Sequence, residues 1–107
     1  MSIDQPYALC FTRHAARDLD ELFRYISYES DTEKATKELM REVENSIFNL
    51  RQLPYCAPQS RDDLLARKGY RPLAIQKKYV VVYRTYEEKQ TVIIHRIIYG
   101  RRDYTKL

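Results

Sequence analysis

The chain has 107 residues, of which 44% are hydrophobic and 32% charged, and a formal net charge of +4. That length fits one domain with a modest core, residues 1–107 taken together, and the composition is that of globular chains, not disordered ones. No apolar run approaches about 18 residues, which excludes a helical membrane span. The opening MSIDQPYALCFTRH, with Asp4 early in it, does not read as a secretory signal.

Charge is unevenly spread. Residues 1–60 hold 7 Lys/Arg against 10 Asp/Glu, a balance of −3, whereas residues 61–107 hold 12 against 5, a balance of +7. A basic half of that size points to an anionic partner, either nucleic acid or an acidic protein segment. A plain solvated basic face is the bland alternative. The two cysteines, Cys10 and Cys56, have no CxxC spacing and read as reduced cytosolic thiols. Cys10, between Leu9 and Phe11, is expected to pack in the core.

Taken in chain order, Tyr7 to Phe11 is short, aromatic and apolar, and predicts a first strand. Thr12 can cap a helix running roughly from Arg13 to Tyr28, because Ala15, Leu19, Leu22, Phe23 and Ile26 recur at spacings of three and four. Arg17, Asp18, Asp20, Glu21 and Arg24 fall between them as its polar positions. Ser30-Asp31-Thr32-Glu33 fits a capping box for a second helix, with Ala35, Leu39, Val43, Ile47 and Leu50 on its apolar stripe and an end before Pro54. So short a link folds the two helices back as an antiparallel hairpin. Residues 58–63 read as a loop, followed by a helical turn around Leu64 to Lys68 and a break at Gly69. Three strands follow, Tyr70 to Ile75, Tyr79 to Tyr86 and Thr91 to Tyr99, joined by short polar links into an antiparallel meander. Val80, Val81 and Val82 in one strand, and Ile93, Ile94, Ile97 and Ile98 in the next, are apolar on both faces and belong mid-sheet. The order β-α-α-β-β-β predicts an α+β sandwich: an N-terminal strand and a two-helix hairpin packed on an antiparallel sheet.

Familiar catalytic motifs are missing. No P-loop, GxGxxG or HExxH occurs, and Gly69 and Gly100 are the only glycines. His14, His95, Cys10 and Cys56 show no ligand spacing, so no metal site and no cofactor is expected. His95 reads first as a packed or half-exposed sheet residue and second as an acid–base group. The basic half does contain Arg71, Lys77, Lys78, Arg84, Arg96, Arg101, Arg102 and Lys106 interleaved with Tyr70, Tyr79, Tyr83, Tyr86, Tyr99 and Tyr104. Guanidinium forks and stacking phenols suit RNA or DNA binding, metal-free RNA cleavage, or capture of an acidic peptide. Singly, each tyrosine is also an ordinary strand former.

The two helices followed by YRPLAIQKKYVVVYRTY and TVIIHRIIYGRRDYTKL resemble the RelE/ParE superfamily of toxins from bacterial toxin–antitoxin modules, over residues 7–107. The resemblance is most specific in the Lys78-Tyr79-Val80-Val81-Val82-Tyr83 strand and in the ending Ile97-Ile98-Tyr99-Gly100-Arg101-Arg102-Asp103-Tyr104, and it is closer to the ParE branch. It implies a small cytoplasmic toxin neutralised by a cognate antitoxin that folds around it. RelE-like members cut ribosome-bound mRNA without a metal, and ParE-like members poison DNA gyrase by binding it. A nuclease would use Arg71 and Arg102 on the scissile phosphate and His95 or Tyr104 for the proton. RelE-like chains, however, carry a catalytic arginine where this chain has Val80, and a valine cannot stabilise developing charge. As a binding inhibitor the chain would use Arg71, Lys77, Lys78, Arg84, Arg96, Arg101, Arg102 and Tyr104 as target contacts. A third possibility is a detoxified remnant that only binds its antitoxin. The C-terminal segment past Gly100 is expected to meet the target or be covered by the antitoxin.

Overall fold

The computed structural model describes residues 5–99. It contains β1 (Ala8–Phe11), α1 (Arg13–Glu29), α2 (Glu33–Phe48), a 3-10 turn (Asn49–Arg51), α3 (Asp63–Arg67), β2 (Tyr70–Ile75), β3 (Tyr79–Tyr86), a second 3-10 turn (Glu87–Lys89) and β4 (Thr91–Tyr99). The three C-terminal strands coincide with the expected ones residue for residue.

Four strands form one sheet in the order β1-β4-β3-β2. β2, β3 and β4 make the expected antiparallel meander, while β1 joins β4 in parallel, so the sheet is mixed. The parallel pairing follows from the connection: α1, α2 and the meander all intervene between β1 and its partner, and a crossover of that length is what parallel neighbours require. β1 is therefore an edge strand, and Cys10, expected in the core, is exposed on it. Cys56 is likewise free and exposed.

Thr12 caps α1, its Oγ1 accepting from the Ala15 amide at 3.0 Å. The same hydroxyl donates to the His95 carbonyl at 3.0 Å, which ties the helix start to β4. The capping box expected at Ser30 and Glu33 does not form. Thr32 is the N-cap of α2 and accepts from the Ala35 amide, whereas the Ser30 amide closes the end of α1 by donating to the Ile26 carbonyl at 3.0 Å. Two hydroxyl residues stood one turn from the α2 start, and the backbone placed the later one at the cap.

The core lies between the helices and one face of the sheet. It gathers Ala15, Leu22, Ile26, Val43, Ile47 and Leu50 from the helical layer against Ile75, Tyr79, Val81, Tyr83, Val92, Ile94 and Ile97. Ala35, expected on the apolar stripe of α2, is exposed. Val82 and Ile98 are also buried yet lie outside this cluster, on the opposite face, as strands apolar on both faces require.

Candidate functional site

A register shift in β4 sets the site. Tyr83 pairs with Ile94 and Val82 with Arg96, so His95 is the extra residue of a β-bulge. Just past the bulge Arg96 reaches α1, where its Nε donates to Asp18 Oδ2 at 2.7 Å and the Ile97 amide donates to the same oxygen at 3.0 Å. Asp18 is 4% exposed. Arg96, a candidate target contact, is thus committed to a buried ion pair. Asp18, read from the sequence as a polar-face residue, instead occupies the buried stripe with Ala15, Leu22 and Ile26. The spacing Ala15, Asp18, Leu22, Ile26 was the available signal.

Cross-strand pairs share a face. Tyr70 pairs with Arg84, Pro72 with Val82 and Ala74 with Val80, and these residues line the outer face, away from the helices. His95 joins them: its ring meets that of Tyr70 edge-on at 4.9 Å. Arg84 lies over the Tyr86 ring at 4.7 Å and close enough to His95 to matter electrostatically. Burial, and then the Arg84 charge, hold the His95 imidazole below its usual range, so it is neutral at pH 7. Its Nε2 is buried without a hydrogen-bond partner. Gly69, with φ of 84°, leaves α3 where an added Cβ would stand 3.3 Å from Arg84 Nε, so the left-handed glycine gives that guanidinium its room. Beyond this Tyr70–Arg84–Tyr86–His95 end, the outer face is apolar: Pro72, Ala74, Val80, Val82 and Ile98.

Arg71 lies on the other face, paired with the core residue Tyr83. Its Nη1 donates to the Ala57 carbonyl at 2.7 Å, and its guanidinium stacks on the Tyr55 ring at 5.0 Å. Beside it is a group that the sequence reading missed. Tyr7 donates to both carboxylate oxygens of Glu87, at 2.7 and 2.9 Å, and Tyr55 also donates to Glu87. The Tyr55 and Tyr7 hydroxyls hold the Glu87 carboxyl below the usual carboxylate range. In return, burial and the Glu87 bond push the Tyr55 phenol up to about 12. Burial also pushes the Tyr83 phenol up to about 12.

Lys77 and Lys78 occupy the β2–β3 turn, and Arg101, Arg102 and Tyr104 lie outside the described residues. Of the candidate nuclease set Arg71, His95, Arg102 and Tyr104, the two described members are on opposite faces of the sheet. Among the described residues no His/Cys/Asp/Glu group could hold a metal ion. On the helical side an apolar cavity of about 210 Å³ runs beside β1, lined by Leu9, Phe11, Leu19, Phe23, Ile47 and Phe48, with Glu44 at its margin. Phe11 is 38% and Phe48 57% exposed, so this groove is open to solvent.

Comparison with solved structures finds the same fold. The toxin–antitoxin complex RelBE2 from Mycobacterium tuberculosis is 24% identical over 95% of this chain and 100% of that one, with a TM-score of 0.61. The chromosomal ParDE system of P. aeruginosa is 22% identical over 89% and 97%, with a TM-score of 0.67. The isolated E. coli RelE toxin is 15% identical over 92% and 89%, with a TM-score of 0.52. A search of the curated proteins finds no significant match. The profile of the family described as ParE toxin of type II toxin-antitoxin system, parDE, matches residues 9–104, and the chain therefore belongs to the ParE toxin family.

Proposed function

We propose that this toxin arrests growth by binding DNA gyrase and performs no bond chemistry of its own. The observation that carries the reading is the outer sheet face around Val80. A metal-free nuclease needs converging cations to neutralise a scissile phosphate. Here Val80 is flanked by Ala74 and Ile98, Arg71 points to the opposite face, and Arg96 is held by Asp18. What the face offers instead is Pro72, Ala74 and Val80 beside Tyr70, Arg84, Tyr86 and His95, and tyrosine and arginine are among the residue types enriched at protein-binding hot spots. Arg84, with Lys77 and Lys78 at the turn and Arg101, Arg102 and Tyr104 beyond the described residues, completes the proposed contact set.

The partner that neutralises the toxin is a cognate antitoxin. Similar folds solved as toxin–antitoxin complexes support this. Its seat is the groove between Leu9, Phe11, Phe23 and Phe48, where an amphipathic helix would cover two exposed phenylalanines. The protein then works in the cytoplasm, where gyrase acts.

Tightly controlled expression with pulse labelling tests the target. DNA synthesis is expected to stop first, with DNA-damage signalling induced. Prompt loss of translation with cut mRNA would reverse the assignment to the ribosome.

A further inference from the structure

We infer that the closed end of the helical hairpin takes an acidic, partly apolar peptide segment of a protein partner, with carboxylates on Lys77 and Lys78. A cavity of about 370 Å³ opens there, lined by Tyr25, Ile26, Glu29 and Ser30 of α1 and its end, Leu39 of α2, and Lys77, Lys78 and Tyr79. Ile26 and Leu39 supply an apolar floor, the two tyrosines supply walls, and the lysines stand at the rim. This is a different place from the groove beside β1; it shares Lys77 and Lys78 with the proposed gyrase contact set, and its test reads the cavity in the absence of gyrase.

Two features set the lysines apart from ordinary surface charge. First, Gln76 and Lys77 have φ of 54° and 60°, with the Lys78 amide bonded to the Ile75 carbonyl at 3.1 Å. That is the left-handed pair of a tight hairpin turn, normally Asn-Gly, a conformation that longer side chains disfavour. Second, the strained turn is pinned: Gln76 Nε2 donates to Glu42 of α2 at 2.6 Å, which holds the lysines over the cavity mouth. Like the other described lysines except Lys37, neither ammonium is taken up by an ion pair among the described residues, so both are available to an incoming carboxylate. Glu29, at the same rim, is unpaired too, and it competes with any incoming carboxylate for the lysines. A segment alternating acidic and apolar residues satisfies both parts of the cavity.

The test uses the purified full-length chain and a fluorescent hexapeptide of alternating Glu and Leu, with a Gln-and-Leu peptide as its neutral twin. Anisotropy at low salt is expected to show binding of the acidic peptide only, lost at about 0.5 M salt. The double change Lys77→Gln/Lys78→Gln is expected to weaken it about tenfold, and Glu29→Gln to tighten it severalfold. Removing as much charge elsewhere, by Lys34→Gln/Lys68→Gln, is expected to leave it nearly unchanged. Equal binding of both peptides, no binding of the acidic one, or wild-type affinity in the double variant would overturn the inference. So would a double variant that melts earlier with unchanged affinity, because the lysines would then merely balance Glu29 and the C-terminal end of α1. Displacement of the peptide by a single-stranded oligonucleotide would reassign the cavity to nucleic acid.

Discussion

Asp18 is the residue on which the bulge turns. A carboxylate that accepts from both Arg96 and the Ile97 amide ties α1 to β4 just past the extra residue His95. Replacing one partner of a buried pair strands the other, so Asp18→Ala is expected to lower stability by about 3–5 kcal/mol in urea unfolding. A loss below about 1 kcal/mol would mean the pair is a surface contact in all but appearance. Glu87 makes a different kind of prediction. Its folded pKa is depressed by two phenols, so its stabilising effect is present above the ordinary carboxylate range and is lost as pH falls through it. Below about pH 4.5 the wild type is expected to lose melting temperature faster than Glu87→Gln, and parallel curves would show that the Tyr7–Glu87–Tyr55 group does not act as a clamp. The Glu87 group was not legible in the sequence: Tyr7 and Glu87 are 80 positions apart, and only the fold reports their meeting. Asp18 was partly legible, because its place in the three-and-four spacing of α1 is a burial signal that its charge concealed.

Strands β2, β3 and β4 were readable because their apolar runs are bounded by polar turns and Gly69, and periodicity needs nothing more. The parallel arrival of β1 was not, since a four-residue strand carries no mark of its partner. The N-cap of α2 was misread for a local reason: Ser30 and Thr32 both offer a hydroxyl, and Glu33 favoured the wrong one by completing a motif. The β2–β3 turn leads to a prediction that separates stability from binding. Lys77→Gly relieves a left-handed side chain and is expected to raise stability by about 0.5–1 kcal/mol while weakening the acidic peptide. Unchanged or lower melting temperature would mean that Lys77 packs productively in the cavity wall.

For the whole molecule, the sequence foresaw a basic half, and the fold divides those cations. Arg96 serves the core, Arg71 the Tyr55–Ala57 corner, Lys77 and Lys78 the hairpin's closed end, and Arg84 the outer face. That dispersal is something no linear spacing could reveal, because residues 71 and 95 lie on opposite faces only once β2 has paired with β3. The segment of residues 101–107, expected to contact the target, lies outside the described residues. Deleting it is expected to abolish growth arrest and leave the cooperative unfolding of the core intact. Most direct for the central claim is purified toxin assayed side by side with gyrase on relaxed plasmid and with ribosomes on a defined mRNA. Inhibited supercoiling or trapped cleaved plasmid with intact mRNA is the predicted result; mRNA cut in the ribosome with gyrase unaffected would contradict it.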